Sequence, residues 1–175
     1  MTAPAAHIPV IETARLTLRG HVMSDFGPFA AFYASDRSRY MGGPMDRIEA
    51  WHQFGADVAH WDLLGHGPLA ITDREDGAFL GQVSILQPPH FPEREIGWFV
   101  LPEAEGRGVA REAATALRGW SYATVSTDPL VSYINRDNVA SIRLAERLGA
   151  VLDDDAIPPF EVDGVWRHPA PERLQ

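Results

Sequence analysis

The chain contains no cysteine and no lysine. Without cysteine there is no disulfide, no thiolate metal site and no cysteine nucleophile. Without lysine there is no P-loop lysine, no Schiff base and no lysine general base; all fifteen cations are arginines. Genome composition explains the missing lysine plainly, but the chemical consequence holds either way. No apolar run approaches the roughly 20 residues that span a bilayer. Residues 1–10 lack a basic start followed by an apolar stretch, so no secretory signal is read there and the cytoplasm is the expected compartment. Nucleotide and hydrolase signatures are missing too: no G-x-x-x-x-G-K-[ST], no G-x-G-x-x-G followed by an acid, no G-x-S-x-G. The seven histidines (His7, His21, His52, His60, His66, His90, His168) form no H-E-x-x-H and no pair at ligand spacing with a carboxylate. No metal is expected.

What is present describes an ordinary globular chain. It has 175 residues, 45% of them apolar and 22% charged. That length fits one domain and permits a full core, burying about 70% of the unfolded surface. Twenty-four acidic against fifteen basic residues leave a net charge of −9. Such a surface repels nucleic acid and anionic membrane, and tolerates cationic partners such as amines.

Periodicity supplies the elements. Residues 15–19 alternate as a strand. Ser24 or Asp25 stands where it would cap a helix with Phe26, Phe29, Ala30 and Tyr33 on one face. Asp46 opens a second helix, with an apolar stripe of Ile48, Trp51, Gly55 and Val58. Residues 69–72 and 79–86 read as strands joined by a tight Asp76-Gly77 turn. Residues 95–101 form a strand, 109–122 a helix, 130–134 a strand, and 138–148 a helix with Ser141, Leu144, Ala145 and Leu148 inward. Residues 151–152 and 165–167 close the chain with two strands. The order β-α-α-β-β-β-α-β-α-β-β predicts an α/β fold, a mixed sheet with helices on both faces.

One turn suggests a ligand. Glu105-Gly106-Arg107-Gly108-Val109-Ala110 lies between a strand and a helix. There, unpaired amides and the positive end of the helix dipole favour an anion. Gly106 and Gly108 allow close approach, and Arg107 and Arg111 would add charge-assisted bonds to phosphate. A plain strand-to-helix turn accounts for the same residues, and Glu103 and Glu105 suit a helix start without any ligand.

Residues 95–102 together with this turn resemble motif A of the GNAT N-acetyltransferases, Arg/Gln-x-x-Gly-x-Gly/Ala. Residues 138–150 resemble the second motif of that superfamily's RimJ/RimL branch, residues 12–19 its first strand, and residues 166–169 its end. The resemblance runs from about residue 12 to residue 169, in the family's order. It implies one GNAT domain over residues 12–170, an N-terminal extension at 1–11 and a tail at 171–175. It further implies a sheet splayed between the strand at 95–101 and the strand at 130–134, with acetyl-CoA in the opening. The pantetheine arm would pair with the backbone of Phe99, Val100 and Leu101, and the pyrophosphate would sit on the amides from Glu105 through Gly106, Arg107, Gly108 and Val109 to Ala110.

The chemistry that follows is acetyl transfer to a primary amine by direct attack. Free amines are mostly protonated near neutrality, so a base must remove the proton. The resemblance puts Glu95 there, whereas a solvated strand-edge acid is the plain alternative. An oxyanion donor is implied at a backbone N–H near Phe99 or Val100, at a strand bulge. Ser141 matches a serine near the thiol, or fills a tight spot. Asn138 matches an asparagine contacting the CoA arm, and equally reads as a helix cap. Arg143 would reach a CoA phosphate, or stand on a solvated face. Residues 40–44 and 60–66 fall where the family walls its acceptor site. Two departures stand out. Ala145 occupies the usual tyrosine acid's place, which excludes tyrosine acid chemistry there. Glu105 replaces the usual Arg or Gln and would repel pyrophosphate unless it points away. The expected partners are acetyl-CoA and an amine, with no nucleic acid and no membrane, in a monomer or homodimer. An inactive acyl-CoA sensor of the same fold, or an interaction protein with no CoA affinity, remains the alternative.

Overall fold

A computed structural model describes residues 8–173. Residues 1–7 of the expected extension, His7 among them, and 174–175 of the expected tail lie outside the described residues. The elements are β1 (Ile11–Glu12), β2 (Leu16–Arg19), α1 (Phe26–Tyr33), α2 (Arg47–Leu64), β3 (Pro68–Asp73), β4 (Phe79–Leu86), β5 (Glu95–Val100), α3 (Val109–Thr124), β6 (Val131–Asn135), α4 (Val139–Arg147), β7 (Val151–Leu152) and β8 (Asp163–Arg167). Beyond the expected order there is one addition, the short β1, in which Ile11 pairs with Leu18. The eight strands form one sheet ordered β1-β2-β3-β4-β5-β6-β8-β7. Every neighbouring pair is antiparallel except β5 and β6.

Strand alternation sorts the core between two faces. Leu16, Leu18, Leu69, Ile71, Val83, Ile85 and Ile96 point to one face, where Val109, Ala113, Ala114 and Leu117 of α3 cover them. Ile134 and Trp166 continue that face under Ala145 of α4. On the opposite face Phe99 and Leu101 pack against α1 and α2 through Phe29, Phe32, Tyr33 and Phe54. Phe32 stacks on Phe99 with ring centroids 4.1 Å apart.

Helix ends follow the capping rules, with two corrections to the sequence reading. Asp46 accepts the Ile48 and Glu49 amides at 2.8 and 2.9 Å, and Glu49 returns a bond to the Asp46 amide, closing a capping box. Asp25 does not cap α1 with its side chain. Its carboxylate grips Arg19 at 2.7 and 2.9 Å and the Val22 amide at 2.9 Å, bonds that bind β2 to α1. In α2 the expected inner stripe is the outer one: Ile48, Trp51 and Val58 are exposed, and Ala50, Phe54, Asp57 and Trp61 are buried. The buried stripe contains an acid, so apolar spacing alone selects the wrong face. Asp57 is tolerated because Gln53 and Gln82 each donate to it, at 2.9 and 3.0 Å.

Candidate active site

The two edges of β5 differ. Its β4 edge is paired along the whole strand, from Glu95 opposite Leu86 to Val100 opposite Gly81. Its β6 edge is paired at one position, Glu95 opposite Val131. The Val131 amide bonds the Arg94 carbonyl at 3.0 Å, and beyond that rung the strands part. Regular parallel pairing would next bond the Tyr133 amide to the Ile96 carbonyl. Both groups instead take side-chain partners: the Ser132 hydroxyl donates to the Ile96 carbonyl at 2.6 Å, and the Tyr133 amide donates to Glu95 Oε1 at 3.3 Å. The result is the expected splay, open toward the carboxyl ends of both strands.

Alternation decides which backbone groups face the opening. Leu101 donates its amide to Leu80 on the β4 side at 2.8 Å. Phe99 therefore also bonds toward β4, whereas Trp98 and Val100 turn their N–H and C=O groups into the gap. Of Phe99, Val100 and Leu101, only Val100 offers its backbone there; the Phe99 and Leu101 side chains are core. Trp98 was missed in the sequence, although it lies two residues from Val100 and the strand's period of two points to it. The irregular pairing near this point lies between β3 and β4, around Gly81, and not in β5.

Glu95 stands at the apex of the opening, on the α1/α2 face with Gly97 and Phe99. A side chain at Gly97 would begin 3.7 Å from the Glu95 carboxyl carbon, so the missing Cβ leaves room beside it. Burial pushes the Glu95 carboxyl up to about 8; the Tyr133 amide pulls the other way, and Asp163 adds to the rise. A carboxyl that gains and loses its proton near neutrality suits a general base.

The glycine turn leads from β5 into α3. Gly106 and Gly108 have φ of 70° and 77°, which only glycine adopts without strain. Gly108 is the N-cap of α3 and supplies no side-chain acceptor, so the amides of Val109, Ala110 and Arg111 are left for an anion. The Arg107 side chain leans away, within 3.9 Å of Asp73. Arg111 is exposed on the first turn of α3. The Glu105 carboxylate is paired with Arg37, from the segment between α1 and α2. Its charge is thereby answered by an arginine 68 positions earlier in the chain, which no local pattern reveals.

The other lip of the opening is the start of α4. Asn138 caps it by accepting the Ser141 amide at 3.2 Å. Ser141 is partly exposed in the first turn, and its hydroxyl makes no hydrogen bond among the described residues. Ala145 is fully buried against Ile134 and Trp166. Arg143 is exposed, off the inward stripe. The Tyr40 hydroxyl, from the same segment as Arg37, bonds the Asp137 carbonyl at 3.3 Å. That segment thus reaches both lips. His60 and His66 instead bond the carbonyls of Ala56 and Ile85. Among the described residues no cluster of three or more acidic or histidine side chains could hold a metal ion, and no helix is long and apolar enough to cross a membrane.

Known proteins share this fold. The family model for the acetyltransferase (GNAT) domain matches residues 15–151, and the chain belongs to that family. An acetyltransferase from Agrobacterium tumefaciens str. C58 is 44% identical, with 93% of this chain and 95% of that one covered and a TM-score of 0.89. A RimL ribosomal L7/L12 alpha-N-protein acetyltransferase, solved with coenzyme A, shares the fold at 15% identity and a TM-score of 0.73, over 93% of this chain and 98% of that one. The spermidine N(1)-acetyltransferase of Escherichia coli K12 is 23% identical over 94 residues, 53% of this chain. The match spans half the length of that curated relative.

Proposed function

We propose that the chain transfers the acetyl group of acetyl-CoA to a primary amine, with Glu95 as the base. The observation that carries this is the open edge of β5, with an ionisable carboxyl at its apex and an anion-ready turn at its end. The donor supplies an activated thioester. The chain's residues do the rest. Trp98 and Val100 offer backbone donors and acceptors to an amide-bearing arm and an N–H to a carbonyl oxygen in the gap. The amides of Val109, Ala110 and Arg111 would hold the diphosphate, and the Arg37–Glu105 pair keeps net charge off that turn. Glu95, once ionised, takes the proton from the attacking amine, directly or through water. Ser141, at the opposite lip, would hydrogen-bond the departing sulfur, or protonate it and recover its own proton from water.

The acceptor is an amine on a small polycation or a protein N-terminus. Asp163 lies close to Glu95, and the chain as a whole carries −9, which favours a cationic acceptor; the neighbouring Glu93 carboxylate is already paired with Arg167. The named activities of the relatives, on spermidine and on a ribosomal protein α-amine, bracket the same choice.

Thermal melting with acetyl-CoA, against adenosine diphosphate as control, tests the reading first. A ligand at 100 times its dissociation constant stabilises by about 2.7 kcal/mol, several degrees for a chain of this size. Thiol release that depends on added amine then separates a transferase from a sensor. No shift at millimolar acetyl-CoA, or a shift without amine-dependent release, would overturn it.

A further inference from the structure

Three buried polar groups from distant parts of the chain converge behind the point where β5 and β6 separate. Ser132, Arg118 and His168 are 2%, 6% and 2% exposed. His168 Nε2 lies 2.9 Å from the Ser132 hydroxyl, and His168 Nδ1 lies 3.2 Å from Arg118 Nη1. The same Nη1 donates to the Leu148 carbonyl at 2.7 Å, at the C-terminal end of α4. Arg118 makes no ion pair with a carboxylate among the described residues. An unpaired buried cation is costly, and the helix end and the imidazole offset that cost only in part.

Proton bookkeeping gives the chain of bonds one direction. A guanidinium only donates, so His168 Nδ1 accepts. Nε2 then carries the hydrogen and donates to the Ser132 oxygen. The serine's own proton goes to the Ile96 carbonyl, 2.6 Å away. Burial, with Arg118 nearby, holds His168 down to about 3, so this tautomer is neutral throughout the physiological range. Serine and histidine here resemble a nucleophile with its base, but the polarity is the reverse: the serine gives its proton to a backbone carbonyl.

The consequence lies on the opposite face of the sheet. The Ile96 carbonyl takes the Ser132 hydroxyl in place of the Tyr133 amide, and that amide bonds Glu95. We infer that Ser132, held by His168 and Arg118, is a positioning residue that sets where β5 and β6 part and so delivers the Tyr133 amide to Glu95. The inference rests on the proposed role of Glu95 for its importance to catalysis, but not for its test. The ionisable groups facing Glu95 are Asp163 on β8, Tyr133 on β6 and Tyr33 on α1. None of them lies on the Ser132 side.

The test is a carbon-13 titration of the Glu95 side-chain carboxyl in the whole chain, for wild type and for Ser132→Ala, Ser132→Thr and Ser132→Cys. Ser132→Ala frees the Ile96 carbonyl to take the Tyr133 amide. Glu95 then loses a donor that favours its charged form, and its midpoint moves up by about one pH unit. Ser132→Thr keeps the hydroxyl and restores the wild-type midpoint. Ser132→Cys, with a weak S–H donor, moves it part of the way and stands in if the alanine variant does not fold. In an active enzyme the acid limb of kcat/KM follows the same order. Unchanged midpoints in the folded alanine or cysteine variants would make Ser132 a core group and nothing more. Absence of acetyl-CoA binding by the wild type would instead sink the functional reading and leave this titration decisive for the inference.

Discussion

One strand, β5, has two edges made by the same six residues, and they behave differently. Toward β4 it is zipped through a continuous register. Toward β6 it is joined at a single rung. A closed edge contributes stability and presents nothing; an open edge presents N–H and C=O groups that another molecule must satisfy. Beyond that rung the Ile96 carbonyl of β5 and the Tyr133 amide of β6 bond Ser132 and Glu95 in place of each other, which leaves the edge open. The proposed binding surface is thus a withheld strand pairing, with Glu95, the proposed base, as part of the wedge.

The largest expected effect comes from removing the charge and keeping the wedge. Glu95→Gln retains an oxygen for the Tyr133 amide, so the opening survives. We expect acetyl transfer to fall by about 10²–10⁴-fold, the usual contribution of a general base, with acetyl-CoA affinity nearly unchanged. Stability moves the other way. The wild-type carboxyl is raised to about 8 from its ordinary 4.5. As pH climbs through that window the unfolded chain releases the proton while the folded chain retains it, so folding weakens. Glu95→Gln therefore matches wild type below pH 4.5 and melts higher above pH 8 in a pH series of melting curves.

A side chain at Gly81 would break the zipped edge. Its φ is 150°, and a Cβ there would lie 2.2 Å from the Phe99 carbonyl oxygen and 2.8 Å from the Val100 Cα. Gly81→Ala must displace β5 at the level of Val100. Denaturant melts should show a loss of about 1–3 kcal/mol, and the KM for acetyl-CoA should rise with it. The mildest effect belongs to the mouth of the open edge. Arg37→Ala leaves Glu105 unanswered beside the α3 amides. Calorimetry should show acetyl-CoA binding roughly two- to fivefold weaker, as expected for an exposed ion pair. S-acetylpantetheine, which lacks the diphosphate, should bind both proteins alike.

The parts of this site that were legible from sequence are local. The Gly106 and Gly108 turn and the Asn138 cap each declare themselves within a few residues, because backbone conformation and capping are short-range effects. The strand and helix order was legible for the same reason. The splay itself entered by family likeness, and its physical cause was not legible, since it needs Arg118, Ser132 and His168 brought together across 50 residues. The answer to Glu105 lay equally far off, in Arg37. The α2 stripe was misread because Asp57 looks like a surface residue until Gln82 arrives from β4 to hold it.

Amide hydrogen exchange along β5, with and without acetyl-CoA, addresses the open edge most directly. In the free chain the Trp98 and Val100 amides should exchange fast, and the Phe99 amide between them, bonded toward β4, should be protected. Saturating acetyl-CoA should slow Val100, with Trp98 following, and leave Phe99 as it was. Trp98 and Val100 amides protected in the free chain, or indifferent to acetyl-CoA, would contradict the claim that β5 binds through its unpaired edge.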